Sequence, residues 1–172
     1  MSKDGIILYM SNTISTYDVY GKEYIIAKGN LKLSVHVYGL AVKDGKILIS
    51  PQYDGYDFPG GTANKGETHL ETLKREFKEE TGYDVRPVKL LDIFTSFFHH
   101  SKRNLDYQSY LIFYQVDIIG GELSDKGFDD DEKQYAKKAK WVPVAELAKM
   151  RHACSLDIHE DLLKSLNINL SV

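Results

Sequence analysis

A single cysteine, Cys154, excludes an internal disulfide framework and a cysteine-rich zinc site. Alone, it reads as a small buried apolar residue. No apolar run approaches the ~20 residues that cross a bilayer. The amino-terminal residues lack the basic stretch, apolar core and cleavage site of a secretory leader. Together these absences lead to the expectation of a soluble, cytoplasmic protein. There is no basic tract, and the formal charge of −3 argues against general affinity for nucleic acid. A small phosphorylated ligand, held by a metal and a few local cations, stays open. Internal repeats and low-complexity segments are missing as well. What remains is 172 residues, 42% hydrophobic and 27% charged, the profile of one globular domain with a real core.

The chain is organised around Gly60-Gly61-Thr62-Ala63-Asn64-Lys65-Gly66-Glu67 and the residues from Thr68 to Gly82. The first stretch reads as a glycine-rich loop, the second as one short helix. Thr68 with Glu71 forms a capping box, and Gly82 stands where a left-handed cap belongs. On a helical wheel Leu70, Leu73 and Phe77 make a buried stripe. Glu76, Glu79 and Glu80 share the neighbouring face, while Glu71, Lys74 and Lys78 point outward and can pair. Like charges at these spacings repel by roughly 0.2–0.5 kcal/mol per pair. Carboxylates in the last turn also face the negative end of the helix dipole. A solvated acidic face is the simpler reading, but it does not explain acids packed against an apolar edge after a loop of bare backbone. A hard divalent cation such as Mg²⁺, taking oxygen ligands, does explain them.

Gly61, Glu67 and Arg75-Glu76-Phe77-Lys78-Glu79-Glu80-Thr81-Gly82, with Phe58-Pro59-Gly60-Gly61 as lead-in, resemble the signature box of the Nudix hydrolases. Tyr83, where an aliphatic residue is usual, is the one departure. The resemblance implies an α/β (α+β) fold: an α/β/α sandwich around a mixed sheet, with the box as loop–helix–loop. It implies hydrolysis of a diphosphate bond in a nucleoside diphosphate linked to another moiety, with Mg²⁺ or Mn²⁺ as cofactor. Carried over, Glu76, Glu79, Glu80 and the Gly60 carbonyl are metal ligands. Arg75 orients the glutamates and Glu67 braces the loop. The general base is Glu76 or Glu79, or an acid supplied by a distant loop such as Asp129 to Glu132.

Along the rest of the chain, Ile6 to Met10 and Tyr17 to Ala27 read as strands of an extension over residues 1–32, a packing element that can also serve dimerisation or substrate binding. Residues 33–172 form the main domain. Leu33 to Val42 is a strand, and Asp44-Gly45 turns it back through Lys46 to Ile49. A strand from about Val88 to Phe98 starts at Pro87. A hairpin loop over His99 to Asn104 leads to a strand from Tyr107 to Ile118, which Gly120-Gly121 ends. Lys140 to Val142 is a short strand, Pro143 opens a helix to Met150, and Ser155 caps a last helix bearing Leu156, Leu163 and Leu166. His99 and His100 read as surface loop histidines. Lys102 and Arg103 are candidate phosphate contacts if that loop folds over the cleft. Tyr53 and Tyr56, nearest the box, are candidate base contacts. The rival to an enzyme is a non-catalytic Nudix-type module that senses a nucleotide, which would have no need of a repulsive glutamate triplet. Messenger-RNA cap removal is disfavoured by the acidic balance. ADP-ribose, nucleoside triphosphates and dinucleoside polyphosphates all remain as substrates.

Overall fold

The computed structural model describes residues 12–52, 55–124, 138–153 and 159–166. The Ile6–Met10 run, Tyr53, the Asp129–Glu132 acids and Ser155 with Leu156 lie outside them. Strands β1 (Thr13–Tyr17), β2 (Glu23–Ala27), β3 (Lys32–Leu40), β4 (Val42–Lys43), β5 (Lys46–Gln52), β6 (Gly55–Asp57) and β7 (Gly60–Thr62) precede helix α1 (His69–Thr81). Strands β8 (Tyr83–His100), β9 (Leu105–Gly121) and β10 (Lys140–Pro143) follow, then a 3-10 turn over Val144–Lys149 and helix α2 (His159–Ser165). One sheet has the order β2-β1-β8-β9-β3-β7; β10, β5 and β4 form a second, with β6 against β5. The larger sheet is mixed: β3 runs parallel to β9 and antiparallel to β7.

Alternation along the central strands divides the core between two faces. Val37 of β3, with Ile112 and Val116 of β9, packs with Leu73 and Phe77 of α1. Leu40, Leu111 and Phe113 point the other way and pack with Leu162 and Leu163 of α2. Helices on both faces of a mixed sheet give the α+β architecture implied by the box. The approach of α1 is close because β3 carries Gly39, where an added Cβ would meet the Phe77 ring at 2.7 Å.

The termini of α1 match the residues that set them. The Thr68 hydroxyl accepts the Glu71 N–H, the Glu71 carboxylate answers to the Thr68 N–H at 2.8 Å, and Gly82 closes the helix at φ 77°. Leu70 is a correction: it is 37% exposed, whereas Thr72, Leu73, Glu76, Phe77, Glu80 and Thr81 are buried. The buried side is therefore rotated toward the glutamates, because α1 packs against the glycine edge strand β7 as well as β3 and β8 of the same sheet. Pro87 is another: it lies inside β8 opposite Val116, where register shifts accommodate its missing N–H. Strand β8 also runs on through His100, so the hairpin turn is shorter than expected. Gly120 and Gly121 remain paired within β9. Pro143 ends β10 instead of opening an α-helix.

Replacing the fully buried Leu73 by alanine removes contacts from the α1 face of the core. The expected cost is ~2–5 kcal/mol, read by denaturant unfolding; an unchanged midpoint would contradict this packing.

Candidate active site

Strand β7 brings the glycine loop beside β3 in the register Tyr38↔Gly60, Val37↔Gly61 and His36↔Thr62. Gly60 holds φ +152°, and a Cβ there would collide with the Val37 carbonyl, so no other residue fits without strain. At Gly61 the crowding comes from the helix: a Cβ would stand 2.5 Å from Glu76 Oε2. Bare backbone is thus pressed against the carboxylates of α1.

Arg75 organises the loop and the helix together. Its Nε and Nη2 meet the two oxygens of Glu67 at 2.6 and 2.8 Å, and Nη2 also donates to the Thr62 carbonyl at 3.1 Å. Nη1 lies 2.8 Å from Glu76 and 3.1 Å from Glu79. Glu67 in turn accepts from the Asn64 N–H at 2.9 Å and the Thr72 hydroxyl at 3.1 Å. A planar fork of donors makes this multiple bracing available to arginine and not to lysine. The Arg75 hydrogen bonds hold the Glu67 carboxyl well below the usual carboxylate range, with the Asn64 N–H assisting. The same bonds raise the Arg75 pKa further.

Glu80 has a different environment. It is 4% exposed and accepts from the Ser50 hydroxyl at 2.7 Å and the Gly60 N–H at 3.2 Å. Burial pushes its carboxyl well above the usual range; the two hydrogen bonds oppose this, and the charges of Asp57 and Glu76 add to it. Glu76 is likewise buried, whereas the Glu79 side chain is 42% exposed. The three glutamates are therefore not a preassembled ligand set: among the described residues no three histidine, cysteine or acidic side chains converge on one point. Each is compensated by protein donors, with Arg75 between Glu76 and Glu79. The chemistry of the set nonetheless suits a hard cation, offering carboxylate oxygens beside a glycine backbone that carries no side chain to obstruct approach.

The remaining candidates separate. Tyr56 is fully buried, its ring packed edge-on to Phe58 at 5.7 Å and His152 at 5.3 Å, and does not present a face to a base. Lys102 and Arg103 sit in the turn between β8 and β9. Gly61 lies opposite Val37, itself opposite Ile112, seven residues beyond Leu105. At about 3.3 Å per residue this is about 23 Å along β9, so the backbone of that turn lies well along the strand from the level of Gly61. His99 is not a surface loop residue: it is 5% exposed, 3.0 Å from Asp106 Oδ1 and stacked on Tyr24 at 3.7 Å. The hairpin β1–β2 covers it. Sequence reading missed Ser50, Asp57 and His152, which are buried behind the box; only their tertiary positions distinguish them.

The residues 30–162 match the NUDIX domain model. An ADP-ribose pyrophosphatase of Methanocaldococcus jannaschii is 33% identical over 170 residues, covering 90% of this chain and 91% of that protein. An 8-oxo-dGTP diphosphatase of Haemophilus influenzae is 29% identical over 121 residues, covering 67% of this chain and 85% of that protein. Among solved structures, a NUDIX hydrolase from Nitrosomonas europaea superimposes with a TM-score of 0.58 at 19% identity, over 79% of this chain and 89% of its own. The fold and the helix-borne box thus define a hydrolase of diphosphate bonds, and this chain belongs to the Nudix family. No described helix is long and apolar enough to cross a membrane.

Two outcomes are expected of this site. Arg75→Lys leaves one charge but loses the fork, so amide exchange at Asn64 and Glu67 should accelerate severalfold while the core stays protected; equal protection would contradict the bracing. Burial depresses the His36 and His100 pKa values below 6.5, with Arg103 adding to the effect at His100. Their contribution to stability is complete above about pH 6.5 and is lost as pH falls through the lowered values. A His36→Gln/His100→Gln variant should show a shallower fall in melting temperature between pH 7 and 5.

Proposed function

We propose that this chain hydrolyses the diphosphate bond of a nucleoside diphosphate joined to a second group, of the ADP-ribose type, and depends on Mg²⁺ or Mn²⁺. The observation that carries this reading is the burial of Glu76 and Glu80 against the bare backbone of Gly60 and Gly61. Burial, with the charges of Asp57 and Glu76 adding to it, raises the affinity of Glu80 for protons, a cost in stability that a bound cation would offset. ADP-ribose comes first among substrates because the M. jannaschii relative, matched over nine-tenths of both chains, is named an ADP-ribose pyrophosphatase.

Glu76, Glu79, Glu80 and the Gly60 carbonyl would hold the cation, which when bound neutralises charge on the diphosphate oxygens and acidifies a coordinated water. The protein's own part is positioning. Arg75 sets the rotamers of Glu76 and Glu79 while Glu67 ties it to the loop. Ser50 and the Gly60 N–H orient Glu80. Glu79, the most open of the three, is suited to accept the proton of the attacking water. Positioning and charge compensation supply most of the acceleration in such transfers.

Glu79→Gln and Glu80→Gln should each lower Mg²⁺-dependent release of AMP from ADP-ribose by roughly 10²-fold or more, beyond the 10–100-fold typical of outer-shell changes, with the fold retained by circular dichroism. Near-normal turnover in both variants would remove the glutamates from the mechanism.

A further inference from the structure

The segment Arg151–Ala153 is bonded onto β6, the strand that leads into the glycine loop. The Tyr56 N–H donates to the Arg151 carbonyl at 3.0 Å and the Ala153 N–H to the Tyr56 carbonyl at 2.7 Å. The fit is tight, since a Cβ on Gly55 would collide with the Arg151 carbonyl. This ladder, with its bridge between Tyr56 and His152, delivers a histidine to the back of the site. The His152 side chain is 3% exposed, wedged against the Tyr56 and Phe58 rings, with Nε2 3.2 Å from Asp57 Oδ1. That same oxygen accepts the Phe58 N–H at 2.7 Å. Asp57 also stands directly across the strand pair from Ser50, whose hydroxyl holds Glu80.

A buried polar row therefore runs from Glu80 through Ser50 and Asp57 to His152, all at most 8% exposed. Nothing in the catalytic assignment above uses its last two members. We propose that His152 is a positioning residue: by holding the Asp57 carboxylate, it fixes the Phe58–Gly61 backbone against Glu80. A carboxylate buried at this depth needs a compensating partner, and His152 Nε2 stands 3.2 Å from it, outside hydrogen-bond geometry but close enough to compensate its charge when the ring is protonated. Without it Asp57 would turn toward water, and the Phe58 N–H bond that starts the loop would go with it. In this role His152 acts on the reaction through Asp57 and the loop.

The kinetic arm of the test rests on the proposed diphosphohydrolase activity; the spectroscopic arm does not. A glutamine amide nitrogen reaches the place of Nε2, whereas an asparagine nitrogen falls near Nδ1, so the two variants separate a held Asp57 from a merely filled cavity. In ¹H–¹⁵N spectra of the full chain, His152→Asn should shift the Phe58, Gly60 and Gly61 amides and His152→Gln should restore them. Asp57→Asn/His152→Asn should resemble Asp57→Asn alone, because the pair acts as a unit. With ADP-ribose and Mg²⁺, kcat should fall about tenfold or more in His152→Asn, with KM little changed and glutamine recovering most of the loss. If His152→Asn does not fold, Asp57→Asn takes its place in both arms and should move the same amides. Unmoved loop amides, glutamine as damaging as asparagine, or additive effects in the double variant would overturn the inference. Absence of turnover in the wild type, with the amide pattern as described, would count against the proposed activity alone.

Discussion

The organisation of this molecule depends on how negative charge is compensated along one thirteen-residue helix. Three glutamates near its end repel one another and meet the negative end of the helix dipole. Arg75 offsets part of this by spreading one guanidinium over Glu67, Glu76, Glu79 and the Thr62 carbonyl. Since Glu67 and Thr62 belong to the preceding loop, the contacts that compensate charge also set the geometry of loop against helix. The capping box and Gly82 fix where the helix begins and ends, and hence which carboxylates reach the loop.

Burial sharpens that constraint. Glu80 lies beneath the glycine backbone, bonded to Ser50 and the Gly60 N–H, in a place where ionisation is disfavoured. The glycines permit this contact, and the two-sided sheet supplies its rigid backing: Leu73 and Phe77 anchor α1 on one face while α2 packs on the other. A stable fold has no need of an acid in that position. Its burial against the bare backbone of Gly60 links the architecture to the chemistry of the family.

What could be read without coordinates was whatever is encoded locally. Thr68, Glu71 and Gly82 announce the helix because caps are satisfied within a few residues. Asp44-Gly45 announces its hairpin for the same reason, and the spacing of the box identified the family. Leu70 was misplaced because a helical wheel shows which residues share a face but not how that face is turned toward its neighbours. Tyr56 was misjudged because proximity in sequence to Gly60 says nothing about which side of β6 a ring occupies. Asp57, Ser50 and His152 carry no local signal at all: a strand pairing and a segment almost a hundred residues further along bring them together. His99 is the same case, buried by a hairpin that precedes it by some eighty residues.

The account stands or falls on whether the buried carboxylates of α1 are there for a divalent cation. Calorimetric titration of the purified protein with Mn²⁺, compared with Glu76→Gln and Glu80→Gln variants shown to be folded, addresses this directly. A single class of binding in the wild type, weakened at least tenfold in each variant, is the predicted result. Equal affinity in all three proteins, or no binding by the wild type with substrate present, would contradict it.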